Sequence, residues 1–209
     1  MSKNDPKPAP LLIVLSAPSG GGKTTLVKQL LTSQPNMTRV VTCTTRAPRE
    51  GEVEGVDYYF LDAADFQKRI EAGHFLEHAT VYGNSYGTLK SEVIAKLRSG
   101  KDVLLNLDVQ GVASVCEQAD SEPEIKRAMF TVFLTPASLS TLESRLKGRG
   151  TDAPEVIARR LGVARQEIAQ WKQFDYLLIS TSVEEDSRRM LAMIETEKMR
   201  SSRAAAPEF

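Results

Sequence analysis

The sequence predicts an α/β fold of three layers, with helices covering both faces of a parallel sheet. Three observations predict it. Five short apolar runs, "LLIVL" (11–15), "TRVVTC" (38–43), "DVLLNLD" (102–108), "MFTVFL" (129–134) and "DYLLIS" (175–180), are continuous rather than alternating. That is the pattern of strands buried on both faces. Helical periodicity follows several of them, and strand then helix, repeated, defines this class. The chain has 209 residues, 41% of them hydrophobic, enough for one elaborated domain or two small ones.

The opening "MSKNDPKPAP" is polar and proline-rich, so residues 1–9 read as a loose tail. The first strand, 11–15, runs into "SAPSGGGKTT" (16–25) and then a helix with Leu26, Val27, Leu30 and Leu31 on one face. A glycine inside an element costs about 1 kcal/mol relative to alanine, so three in a row need a reason. A glycine-rich turn from strand to helix aims backbone N–H groups at one point, with the positive helix end behind them, and binds phosphate. The stretch follows G-x-x-x-x-G-K-[ST], except that Ala17 stands where the first glycine is expected. Ala17, Pro18, Ser19, Gly20, Gly21, Gly22, Lys23, Thr24 and Thr25 are therefore expected to hold a nucleoside triphosphate. Lys23 is the cation for the β- and γ-phosphates, and Thr24 the hydroxyl for Mg²⁺.

After the second strand the alternation breaks. Residues 44–100 hold "DYYFL", "FLEHATV" and "SYGTL", short strand-like pieces that make a small β-rich insertion. Between them "DAADFQKRIEAG" reads as a helix, with Asp62 as N-cap and Gly73 past its end. Core strands resume at 102–108 and 129–134. Residues 137–172 read as two arginine-rich helices around "KGRGTDAP", with Pro154 in the first turn of the second and Trp171 inside it. The last strand leads into a helix from about Val183 carrying Met190, Leu191 and Ile194, and 201–209 reads as a second loose tail.

The segments "TTRAPREGEVEGVDYYF" (44–60) and "FLEHATVYGNSYGT" (75–88), with the loop at 17–24, resemble the guanylate kinases from about Leu11 to about Arg200. The resemblance implies a P-loop core (10–43, 101–136 and 173–200), a GMP-binding insertion (44–100) and a lid (137–172), together one domain over 10–200. It implies transfer of the γ-phosphoryl group of ATP to GMP, and to dGMP as a second substrate, with Mg²⁺. It places Arg46 and Arg49 on the acceptor phosphate, where planar bidentate donors suit a dianion. Tyr58 and Tyr86 complete that cradle. Glu77 accepts from guanine N1–H and N2–H, and Thr42 and Thr88 bond the base edge, where related enzymes often use serine. Arg145, Arg149 and Arg160 surround the transferring phosphoryl group with Lys23 and Arg46, which suits a loose in-line transition state. Arg159, one residue from Arg160, points elsewhere on a helix. No general base is assigned, because the acceptor phosphate is already an oxyanion.

One departure stands out. Family members have D-x-D-x-Q-G after the third core strand, whereas this chain reads "LNLDVQG", with Asn106 first and Asp108 second. Both are expected near the guanine, and Asp108 with Thr24 near the metal. Asn106 loses a charge there, so altered metal or nucleotide affinity is expected. His74 and His78 are read as packing or surface residues and Lys147 as solvent-facing.

Charge is balanced at 27 basic and 27 acidic residues, which argues against a dedicated nucleic-acid binder. No run reaches a membrane span, and the two cysteines, Cys43 and Cys116, have no metal or redox spacing. A cytoplasmic protein is expected, with no membrane partner, as a monomer or homo-oligomer. Two rivals share the P-loop: a non-catalytic guanylate-kinase-like interaction module, and a kinase of another phosphate ester such as a ribose bisphosphate. Retention of Lys23, Thr24, Arg46, Arg49 and the lid arginines weighs against the first. The guanine-reading set Thr42, Glu77 and Thr88 weighs against the second.

Overall fold

The computed structural model describes residues 8–81, 83–148 and 153–204. Among them, nine strands form two sheets. The larger is wholly parallel, with β1 (Leu12–Ser16) at its centre, flanked by β7 (Asp102–Leu107) and β8 (Met129–Pro136). β2 (Met37–Thr38) and β9 (Tyr176–Ser180) are its edges, giving the order β2-β7-β1-β8-β9. β1 shows why its sequence is apolar throughout. Leu11, Ile13 and Leu15 face one core with Leu26 and Leu30 of α1 (Lys23–Ser33) and Met190 and Ile194 of α8 (Val183–Lys198). Leu12 and Val14 face the other, with Val112 and Val115 of α4 (Val109–Ala119) and Leu97 of α3 (Lys90–Arg98). The central strand is buried on both sides, and three layers follow.

The second sheet is mixed, in the order β4-β3-β6-β5, from β3 (Thr42–Thr44), β4 (Tyr58–Phe60), β5 (Phe75–Val81) and β6 (Asn84–Leu89). α2 (Ala63–Glu71) packs Phe66 against Cys43 and Phe75 on one face of it. Asp62 caps α2 by accepting the Asp65 N–H at 2.7 Å, and Gly73 closes the chain beyond it at φ 67°.

Three expectations about elements need correction. "TRVVTC" is not one core strand. Thr38 pairs with Val103 in the parallel sheet, and Thr42 already pairs with Tyr58 in the mixed one. The intervening residues carry the chain between sheets, and Val40 packs on the core as it passes. A continuous apolar run does not register such a bend. Beyond α5 (Pro123–Ala128), the second arginine-rich helix, α7 (Pro154–Ile168), follows α6 (Leu139–Lys147) and ends before Trp171, which lies in a separate 3-10 turn and is 39% exposed. Pro154 does open α7.

The C-terminal tail is not loose where it is described. Arg203 is 7% exposed, gives Nε to Arg127 O and Nη2 to Met129 O at 2.7 Å each, and pairs with the fully buried Glu197. Glu197 also receives the Tyr176 hydroxyl and Arg200. A buried carboxylate stripped of its main counter-charge is costly, so Arg203→Ala is expected to lower stability by roughly 3–5 kcal/mol. Urea unfolding followed by circular dichroism measures this.

Candidate active site

β1 ends at the loop that the glycines build. Gly20 and Gly22 have φ of 85° and 99°, a region that side chains rarely adopt. A Cβ on Gly20 would stand 3.0 Å from Leu146 and 3.2 Å from Leu142 of α6, so glycine also lets this helix press on the loop. Gly21 N–H closes a turn on Pro18 O at 2.8 Å. α1 begins at Lys23 with no side-chain cap and no acidic residue in its first turn. Its first N–H groups and the exposed Thr24 and Thr25 face outward, a cradle for an anion. Ala17 is buried in the core beneath.

Lys23 is half-buried and donates Nζ to Leu107 O at 2.6 Å. Burial lowers its pKa, against which the charges of Asp108 and Glu167 pull it back up. The lysine is thus tied to the end of β7, where Asn106 and Asp108 stand. Asp108 caps α4, with Oδ1 accepting the Gly111 N–H at 2.7 Å. Asn106, Leu107, Asp108 and Glu77 line a cavity of ≈ 240 Å³ between β7, α4 and β5. The lysine's carbonyl anchor and the buried glutamate therefore share one cavity wall.

The mixed sheet presents its other residues by register. Thr42 pairs with Tyr58, Thr44 with Tyr86, and Glu77 with Thr88. Register partners project to the same side, and so do residues two apart in a strand. Thr42, Tyr58, Tyr86, Thr88 and Glu77 therefore occupy one face, opposite the face that α2 covers. A bulge between Phe75 and Glu77 makes this possible, turning Phe75 toward α2 and Glu77 away from it. Gly87 leaves room for the Phe75 ring, since a Cβ there would meet it at 2.8 Å.

Thr88 Oγ1 donates to Glu77 Oε1 at 2.6 Å. Burial raises the Glu77 pKa and the charge of Asp108 adds to this, while the Thr88 hydroxyl and backbone oppose it. The Tyr58 and Tyr86 rings meet edge to face at 6.2 Å, and the Arg46 guanidinium lies 5.4 Å over Tyr58. Arg46 is oriented by Glu52, both of whose oxygens accept from Nη2 at 2.8 and 3.0 Å. Glu52 also takes the Arg49 N–H at 2.8 Å, leaving the Arg49 side chain exposed at the rim. The structure thus brings Thr42, Arg46, Tyr58, Glu77, Tyr86 and Thr88 to one face.

From α6, Arg145 reaches the loop, with Nη1 3.4 Å from Gly21 O. Arg160 is half-buried on α7 where Arg159 is exposed, and Arg149 lies outside the described residues. Glu167, two turns beyond Arg160 on the same helical face, meets the loop too. It takes a backbone hydrogen bond from Ser19 and faces the charge of Lys23, which together oppose the rise in pKa that its burial causes. Glu167 and Glu52 are site residues that the sequence reading left without a role. Glu52 lies within the quoted segment "TTRAPREGEVEGVDYYF" (44–60), whereas only packing reveals Glu167. His74 and His78 are exposed, and Lys147 pairs with Glu143 on the surface.

The chain is similar to known proteins over nearly its whole length. A family model described as guanylate kinase matches residues 10–197. A guanylate kinase of Streptomyces kasugaensis is 45% identical over 190 residues, 90% of this chain and 89% of its own. One of Novosphingobium aromaticivorans is 40% identical over 193 residues, 92% and 85% of the two chains. The crystal structure of guanylate kinase from Anaplasma phagocytophilum superposes with a TM-score of 0.68 at 31% identity, covering 94% of this chain and 90% of that one.

Proposed function

Because this chain belongs to the guanylate kinase family, and so phosphorylates GMP to GDP with ATP, we propose how its own residues divide the work. The observation that carries the reading is the single sheet face bearing Thr42, Tyr58, Tyr86, Thr88 and Glu77, next to the wall that anchors Lys23. The main-chain N–H groups from Ser19 to Thr25, with the α1 N-terminus behind them, cradle the ATP phosphates. Arg46, Arg49, Tyr58 and Tyr86 hold the GMP phosphate. Glu77 accepts from guanine N1–H and N2–H, Thr88 fixes the carboxylate, and Thr42, Asn106 and Asp108 complete the base pocket. An oxygen of the GMP phosphate forms the new bond to the γ-phosphorus as the bond to the β-bridging oxygen breaks, and ADP leaves. Lys23, Arg46, Arg145, Arg149 and Arg160 spread positive charge around that centre. No side chain needs to take a proton.

The donor set fits Mg²⁺ held mainly by the triphosphate. Among the described residues no cluster of three or more His, Cys, Asp or Glu side chains is built for a metal. Thr24 offers an exposed hydroxyl and Asp108 a second carboxylate oxygen beyond its cap, a sparse set for an ion that keeps most of its waters. When bound, the ion neutralises charge on the phosphates. Asn106 sits at this point without a charge, so Asn106→Asp is expected to lower the Mg²⁺ concentration for half-maximal turnover and to tighten Mg²⁺–ATP binding by calorimetry. An unchanged magnesium dependence refutes the idea.

dGMP is a second substrate on this reading, because the face described reads the base and the phosphate. A coupled ADP-release assay with ATP and Mg²⁺ against nucleoside monophosphates and ribose phosphates tests the assignment. GMP and dGMP are expected to turn over, with AMP and ribose phosphates slower by orders of magnitude. Comparable rates with AMP would remove the guanine-reading role of Glu77.

A further inference from the structure

Arg145 does not reach the phosphate-binding loop unaided. Its Nη1 and Nη2 each lie 3.2 Å from Ser180 Oγ. Ser180 ends β9 and is 8% exposed, and its hydroxyl lies 2.7 Å from Asp186 Oδ2. Asp186, in the first turn of α8, is 4% exposed, and its other oxygen takes the Thr181 N–H at 2.9 Å. Asp186 Oδ2 accepts from the Ser180 hydroxyl, which has a single proton to give. Both lone pairs of the serine oxygen are then left for donors, and the donors present are the two guanidinium nitrogens. A hydroxyl normally free to rotate is fixed in direction.

We propose that Ser180 and Asp186 are positioning residues for phosphoryl transfer, holding the Arg145 guanidinium against Gly21 and Gly22 before the nucleotides arrive. The inference rests on the assignment of Arg145 to the transferring phosphates. The relay joins a lid helix, α6, to the buried start of α8 through one oxygen atom, and the guanidinium keeps further N–H groups for phosphate oxygens. A long side chain loses rotamer freedom when it engages a ligand, and fixing it beforehand takes that cost out of the reaction step.

A double-mutant cycle in steady-state kinetics tests this, run below the lowest melting transition of the four proteins. Ser180→Ala removes only the relay oxygen and is expected to lower kcat by roughly 10- to 100-fold, with the KM for GMP unchanged. In an Arg145→Ala background the same change is expected to add little, since its effect passes through the guanidinium. A normal kcat in Ser180→Ala, or losses that multiply in the double variant, overturns the relay and leaves the role of Arg145 standing. A fully active Arg145→Ala overturns both.

Discussion

Lys23→Ala is expected to reduce turnover by roughly 10²–10³-fold or more while the protein still folds and melts cooperatively. Catalysis of phosphoryl transfer is mostly positioning and charge, and losing one well-placed donor to the transition state has a cost of that order. Lys23 is the cation of the loop itself, held at 2.6 Å from Leu107 O and already partly stripped of water. A desolvated charge acts on a phosphate oxygen far more strongly than an exposed one. The fold survives because the glycine turn and the Gly21 N–H to Pro18 O bond belong to the backbone, and α1 buries Leu26, Val27 and Leu30 without the lysine. Coupled ADP release at saturating ATP and GMP measures the loss. Activity within a few-fold of the parent would end the assignment of this loop to the transferred phosphate. Lys23→Arg is expected to fail as well, since a planar fork does not substitute for a compact ammonium in so close a cradle.

Glu77→Gln is expected to weaken GMP by about 100-fold or more and leave ATP binding unchanged. The amide keeps one acceptor but turns an NH₂ toward guanine donors, so a favourable pair becomes donor against donor. Isothermal titration with each nucleotide separates the two sites, and an equal loss for ATP would sink the base-reading role. The same substitution is expected to raise the melting temperature of the ligand-free protein at neutral pH. Burial raises the Glu77 pKa above its ordinary 4.5, so the fold favours the protonated form. That contribution is complete below the unfolded pKa and is lost as pH rises through the folded one. Above the unfolded pKa, burial of this carboxyl therefore counts against the folded empty site, and glutamine, neutral at every pH, removes that cost. For the same reason the KM for GMP is expected to rise on acidification, beginning at a higher pH than an exposed glutamate would give.

The parallel sheet and the glycine-rich loop were legible because their chemistry is local, whereas the residues proposed to read guanine came through the family resemblance. Three glycines before Lys23 have one good physical use, and Asp62 announces α2 through a cap three residues long. What escaped depends on residues far apart in sequence. Glu167 and Ser180 look unremarkable in their own helix and strand, and acquire meaning only when α7 and β9 come beside the loop. The tail at Arg203 read as loose because arginine is normally solvated, and its partners, Glu197 and two carbonyls, are set by tertiary packing. The bulge between Phe75 and Glu77 was invisible for another reason. "FLEH" has two apolar residues and then two polar ones, so it offers no period-two frame against which one residue could be seen out of step, yet that slip decides which way Glu77 points.

The four strands of the mixed sheet also act as a ruler. Tyr58 lies on the outer strand β4 and Glu77 on the opposite outer strand β5, three inter-strand spacings or about 14 Å apart along the hydrogen-bonding direction. Backbone hydrogen bonding sets those spacings and leaves them little give. On the proposed assignment, one end gauges the phosphate and the other the base, and the span between them is measured by main chain. Free guanine reaches one graduation, inorganic phosphate the other, and the nucleotide spans both. Selection by length is thereby built into the sheet, separately from selection by the identity of the base.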